Sequence, residues 1–180
     1  MLSELRRRKF TYLFDCFDLD RNGVLERGDY EQFGQRLGSA FDLAPTSAKY
    51  LTIHAETMAL WDFVRTIADH DHDDRVSVDE FVAAYARLTD DDEAFQRLLM
   101  GYASFIISTG DRTGKGSLDA DEYAAILSSY GIDDSEARAA FAELGIVDGL
   151  LSTTAMERAF AEFFRSDDPA SPGNRMMGRL

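Results

Sequence analysis

The chain has 180 residues, 45% of them hydrophobic and 29% charged, enough to bury a substantial core as one domain or two small ones. Its formal net charge of −14 argues against a nucleic-acid partner, whose phosphates demand the opposite sign. No apolar run reaches membrane-spanning length or follows the basic residues 6–9 as a signal peptide would, and the lone Cys16 forbids an intramolecular disulfide framework, so a cytoplasmic protein with no membrane partner is expected.

Residues 2–17 read as a first helix, with Leu2, Leu5, Lys9, Phe10, Leu13, Phe14 and Phe17 near one face and residues 6–9 forming a solvated basic flank. Cys16 is expected to be a small buried packing residue. The next twelve residues, 18–29, place oxygen-bearing side chains at positions 1, 3, 5, 9 and 12 and a branched aliphatic, Leu25, at position 8. That is the spacing of an EF-hand calcium loop, in which alternate residues turn oxygens toward a hard cation and a last carboxylate closes the shell from the following helix. Asp18, Asp20 and Asn22 offer side-chain oxygens, Val24 its carbonyl, Glu26 a direct or water-mediated contact, and Asp29 the closing carboxylate. Gly23 sits at the sharp turn, where φ is positive. Asp29 is one methylene shorter than the usual glutamate and tends to reach the ion with one oxygen, which shifts the site toward a mixed calcium and magnesium preference.

A second helix is expected over residues 27–37, stopped at Gly38, and Pro45 marks the break before a long helix that Thr46 or Ser47 caps and that runs to Ala68. The loop 69–80 then offers Asp69, Asp71, Asp73, the Arg75 carbonyl, Ser77 through water, and a bidentate Glu80. Asp74 stands at the turn in place of glycine, at a penalty on the order of 1 kcal/mol that the acidic ligands outweigh. His70 and His72 occupy positions 2 and 4, facing away from the ion, and read as polar surface, as does His54 on its helix.

An amphipathic exit helix follows over residues 81–88, and Asp90, Asp91 and Asp92 form an N-cap cluster for a helix over 93–109. The loop 111–122 keeps the frame, with Asp111, Gly116, Leu118, Asp119 and Glu122, but not the full ligand set. Thr113 is a weak neutral ligand, and Lys115 puts an ammonium at position 5, where it either folds away or sits in the site as a tethered cation. Asp111, Thr113, Ser117, Asp119 and Glu122 would therefore hold a third ion weakly if at all. A fourth unit is legible from its helices, 135–144 behind Asp133 or Asp134 and 155–164 with Met156, Phe160, Phe163 and Phe164. Its loop offers Leu144, Ile146 and Ala155 at positions 1, 3 and 12, so no hard cation binds it. Its role is to supply Leu150 or Leu151 as a one-residue bridge partner for Leu118. From residue 166 the chain reads as a flexible tail, Met176 and Met177 included.

The expected fold is all-α, with four EF-hand helix-loop-helix units in two pairs: residues 1–89 with both loops metal-competent, residues 90–165 with one degraded and one silent loop, and the tail 166–180. The loops start at 18, 69, 111 and 144, and the long first interval is unlike the even spacing of calmodulin. With that interval, the string Phe14-Asp-Cys-Phe-Asp18, the loop segment Gly23-Val-Leu-Glu-Arg-Gly-Asp29 and the run Gly116-Ser-Leu-Asp-Ala-Asp-Glu-Tyr-Ala-Ala125 resemble the calerythrin and sarcoplasmic calcium-binding protein family. The resemblance spans about residues 4–165 and implies one compact globule of eight helices, its hydrophobic faces buried against each other. It also implies metal in the first, third and fourth hands with an atypical second, whereas here the second is intact, the third damaged and the fourth one residue short.

These observations point to a monomeric calcium-binding protein that takes two ions, with magnesium also accepted at the first site, and that buffers or transports the ion. The rival is a sensor that changes shape and binds a protein partner. Scattered Met58, Met100 and Met156 form no methionine-rich groove of the kind sensors expose. A coelenterazine photoprotein shares the long first interval, but the single Trp61 does not supply a chromophore-binding set. No nucleophile–base spacing or phosphate-cradling glycine loop suggests an enzyme.

Overall fold

A computed structural model describes residues 2–144 and 146–180. Its helices begin where a side chain takes over the orphaned N–H groups of a first turn. Ser3 caps α1 (Glu4–Phe17), Ser47 caps α3 (Ala48–Ala68) and Asp91 caps α5 (Asp92–Gly110). Asp133 does the same for α7 (Asp134–Glu143) and Ser152 for α8 (Thr153–Arg165). The three remaining helices, α2 (Arg27–Ala40), α4 (Val78–Asp90) and α6 (Ala120–Ser129), leave the acidic loops. In α4 and α6 the cap is loop position 9 (Ser77, Asp119) and the acid at position 12 (Glu80, Glu122) reaches back to the cap's N–H, so the end of each loop doubles as a capping box.

Two short antiparallel sheets tie the loops together. β1 (Val24–Leu25) pairs with β2 (Val76–Ser77), Leu25 opposite Val76, and β3 (Ser117–Leu118) pairs with β4 (Leu151–Ser152), Leu118 opposite Leu151. Each is two residues long where a one-residue bridge was expected, because the flanking positions 7 and 9 are also extended enough to pair.

Among the described residues eight α-helices enclose one aromatic core. Phe17 stacks on Tyr30 with ring centroids 5.0 Å apart, and Phe33 meets Tyr130, the residue just after α6, at 4.5 Å, which joins the first half of the chain to the second. α2 lies close against α3 because two glycines leave room. A Cβ on Gly34 would sit 2.7 Å from Thr57 Oγ1, and one on Gly38 would sit 2.6 Å from the Tyr50 ring. Gly38 is thus no helix stop: α2 runs on to Ala40, and the glycine admits an aromatic ring.

Two further expectations are corrected. Of the basic flank, Lys9 is fully buried, its Nζ donating to Ser166 O (2.7 Å), Asn174 Oδ1 (3.0 Å) and Glu162 O (3.3 Å). The C-terminal segment is no loose tail either. It turns through a 3₁₀ helix, Pro172–Arg175, buries Met176 and Met177, and accepts hydrogen bonds from Tyr12 and Tyr123 on their carbonyls. The apolar content that sequence reading found too sparse for packing is concentrated in two methionines that enter the core. No described helix is long and apolar enough to cross a membrane.

Candidate metal centres

Each acidic loop bends through two residues with left-handed backbone, at positions 4 and 6: Arg21 and Gly23, His72 and Asp74, Gly114 and Gly116. Position 6 was legible in the sequence. Position 4 was not, because Arg21 and His72 carry no glycine signal for it. Asp74 adopts φ 62° as its place requires and pairs with Arg65 Nη1 at 2.7 Å, which offsets part of the strain of a non-glycine turn.

In the first loop carboxylate oxygens of Asp18, Asp20 and Asp29 lie within 4.8 Å of one another. Backbone donors orient them: Gly23 N–H and Asn22 N–H donate to Asp18 (2.9 and 3.1 Å), while Leu19 N–H and Glu26 N–H donate to Asp29 (3.1 and 2.9 Å). Asn22 Oδ1 accepts from Val24 N–H at 2.9 Å, which keeps it in the loop beside the three acids. Burial raises the Asp29 carboxyl above its ordinary range, with Asp20 and Asp18 adding to the rise and the two backbone donors opposing it. Two buried acids and an exposed one, Asp20, in mutual repulsion favour a cation among them. Glu26 stands outside this cluster, its Oε1 2.8 Å from Arg75 Nε of the second loop.

In the second loop the converging set is Asp69, Asp71 and Asp73, again within 4.8 Å. Asp69 Oδ1 is buried and meets no hydrogen-bond donor. A carboxylate oxygen withdrawn from water without a partner is strongly unfavourable, and a hard divalent cation is the partner this oxygen-only set suits. Glu80 is turned to the backbone, accepting from His70 N–H (3.2 Å) with one oxygen and from Ser77 N–H (2.9 Å) and Ser77 Oγ (2.7 Å) with the other. Burial alone would raise its pKa, but the Ser77 and His70 donors outweigh burial and bring it below the ordinary value. Arg87 donates to His70 Nε2 at 2.9 Å, so His70 faces the exit helix and not the acids.

The third loop is closed by its own cation. Lys115 Nζ lies 2.8 Å from Glu122 Oε2 and 3.0 Å from Asp119 Oδ2. Of the two dispositions open to it, the lysine takes the tethered one, and hydrogen bonds to Glu122 and Asp119 raise its pKa. Burial would raise the Asp111 carboxyl, but N–H groups of Gly116, Lys115, Thr113 and Gly114 override it and hold the group at about 2. Thr113 Oγ1 is 3.4 Å from Asp111 Oδ1, and Ser117 is buried in β3. Among the described residues no third acidic cluster of the kind seen in the first two loops is present. The fourth segment closes on itself instead: Val147 bridges Leu150 across Asp148 and Gly149, both at positive φ, and its side chains offer no converging acids.

Sequence reading named Arg75 for its carbonyl and missed its guanidinium. The signal was available, because once positions 8 are opposed, antiparallel register sets residue 26 against residue 75.

No family model matches the chain. It is 29% identical over 130 residues to calerythrin of Saccharopolyspora erythraea, covering 71% of this chain and 73% of that protein. It is 22% identical over 184 residues to sarcoplasmic calcium-binding proteins II, V, VI and VII of Branchiostoma lanceolatum, covering 99% and 98%. The fold matches a Streptomyces coelicolor calcium-binding protein, described in terms of prokaryotic calcium-mediated regulation, with a TM-score of 0.76 at 29% identity over 88% of this chain and 97% of that one.

Proposed function

From the kinship of this chain with the calerythrin- and sarcoplasmic calcium-binding protein-like EF-hand proteins, we infer that it is a cytoplasmic, monomeric calcium buffer or transport protein holding two ions. The carrying observation is the pair of loops in which three aspartates converge within 4.8 Å, one with a buried oxygen left unpaired. Asp18, Asp20, Asn22, the Val24 carbonyl and Asp29 would hold the first ion, with Glu26 at the ninth position contributing directly or through a water. Asp69, Asp71, Asp73, the Arg75 carbonyl, Ser77 and Glu80 would hold the second. The shorter Asp29 leaves the first site open to magnesium. Two EF-hand pairs divide the chain in this reading, and the second pair, with Lys115 in one loop and no acids converging in the other, serves as structure.

A buffering role fits the close packing of the core, where the apolar cavity between Leu13, Tyr102, Tyr123, Tyr130, Phe160 and Met177 is about 30 Å³, space for roughly a water or two. One observation favours the sensor reading, an open groove of about 370 Å³ lined by Leu60, Phe63, Leu88, Leu98 and Phe105. Calorimetric calcium titration of the stripped chain, repeated in millimolar magnesium with a hydrophobic dye present, decides. Two ions bound at about 10⁻⁹–10⁻⁸ M, with magnesium competition and no dye response, is the expected result. Binding at about 10⁻⁷–10⁻⁵ M with a rise in dye fluorescence would establish the sensor.

A further inference from the structure

The two acidic loops are joined by more than a sheet. The register Val24 opposite Ser77 and Leu25 opposite Val76 continues to bring Glu26 opposite Arg75, and the two side chains meet at 2.8 Å. Cross-strand neighbours of opposite charge attract, and this pair spans from position 9 of one loop to position 7 of the other. Asp18, Asp20 and Asp29 converge without Glu26. The one carboxylate of the first loop that lies outside its cluster is the one an arginine holds.

We propose that Arg75 gates the first loop: its guanidinium holds Glu26 off the cation, so the first site binds with a water in place of that carboxylate and more weakly than its ligand set allows. This rests on the two-site reading above and adds the residue that sets the first site's affinity and water count. The device works in one direction only. In the second loop position 9 is Ser77, which faces the uncharged Val24 and donates to its own Glu80. The third loop repeats the principle more completely, its position-9 carboxylate Asp119 being paired with Lys115 from within the loop. Loop 2 keeps its converging acids free of such a cation, loop 1 has one ligand occupied from outside, and loop 3 carries a cation of its own. Arg75 and Glu26 are 60% and 35% exposed, so the pair is a weak competitor and its release is a matter of a few-fold in affinity, not of occupancy or vacancy.

The test uses the full chain carrying Glu80→Gln, which disables the second loop so that calorimetry reads the first alone. Adding Arg75→Gln, which retains the backbone carbonyl, should tighten calcium by about two- to five-fold. That gain should vanish when Glu26→Gln is also present. Europium luminescence lifetimes in H₂O and D₂O count the waters bound to the ion, and Arg75→Gln should remove one. A gain that persists with Glu26→Gln would show that the arginine acts only through its charge, and would overturn the proposal. An unchanged affinity and water count would overturn it too. If the unsubstituted chain binds a number of ions other than two, the functional reading fails first and this inference with it. A wild-type stoichiometry of two with no coupling between residues 26 and 75 isolates the failure to the gate.

Discussion

At the residue scale the three acidic loops differ by a methylene, an arginine and an ammonium. Asp29 closes the first loop where Glu80 and Glu122 close the others, yet all three use both oxygens in the same way, accepting from the N–H of positions 2 and 9. The closing carboxylate is thus placed by backbone donors, and what varies is the charge set around it. In the third loop two of the three carboxylates are already paired with Lys115. Replacing Lys115 with aspartate removes the ammonium and restores an acid at position 5, so Lys115→Asp is expected to bind one more calcium per chain than the parent. Calorimetric stoichiometry checks it, and an unchanged count would mean that Thr113 or the frame of the loop, and not the lysine, prevents binding.

At the element scale the C-terminal segment behaves as a clasp. Lys9 on α1 donates to three neutral oxygens, on α8, on residue 166 and on Asn174, and so pins the segment that carries Met176 and Met177 into the core. Lys9→Met takes the lysine donor from Ser166 O and Asn174 Oδ1, while Glu162 O keeps the Ser166 N–H, and should lower stability by about 1–3 kcal/mol in urea unfolding while making the segment protease-sensitive. The same lysine imposes a pH dependence. Burial lowers its pKa from 10.5 to about 8, with Asp167 opposing and Arg6 assisting the shift. Between about 8 and 10.5 the unfolded chain therefore binds the proton that the folded chain has shed, and stability rises with pH. Below about 8 both states hold the proton and the penalty for the buried ammonium is fully present. Buried Cys16, from about 9 upward, and half-buried Tyr12 with Tyr30, Tyr85, Tyr123 and Tyr130, from about 10 upward, have raised pKa values and act oppositely. Between pH 8 and pH 9.5 the unfolding free energy of the parent should therefore rise relative to that of Lys9→Met, in which Cys16 and the tyrosines titrate unchanged.

At the scale of the whole molecule the two halves share one core. Phe17 and Phe33 from the first half contact Tyr130 from the second with centroids 5.4 and 4.5 Å apart. Outside the core Arg112 of the third loop donates to Ala40 O at 3.1 Å and lies over the Phe41 ring, tying that loop to the end of α2. A ligand that binds the folded first half therefore stabilises the entire chain by mass action. Trp61 fluorescence and far-ultraviolet circular dichroism should melt together, and calcium should move both transitions upward by the same amount. Tyr130→Ala should cost about 3–5 kcal/mol and separate the two transitions. Coincident melting in that variant would place the coupling elsewhere than at this aromatic contact.

The oxygen ligands at positions 1, 3 and 5 of the first two loops, the turn at position 6, the aliphatic at position 8 and the helix caps are all set by residues within a few positions of one another, and the sequence alone determined them. Local spacing is enough there, because each loop folds around its own backbone donors. Tertiary structure decided what depends on residues far apart in the chain. Lys9 reaches Asn174, Glu26 meets Arg75, Gly38 receives Tyr50, and Met176 and Met177 find the core beside Tyr123. None of these has a periodic signature, since a buried lysine and a solvated one share the same helical position. Which carboxylates face a cation and which face a guanidinium is settled only when two loops are laid side by side in register.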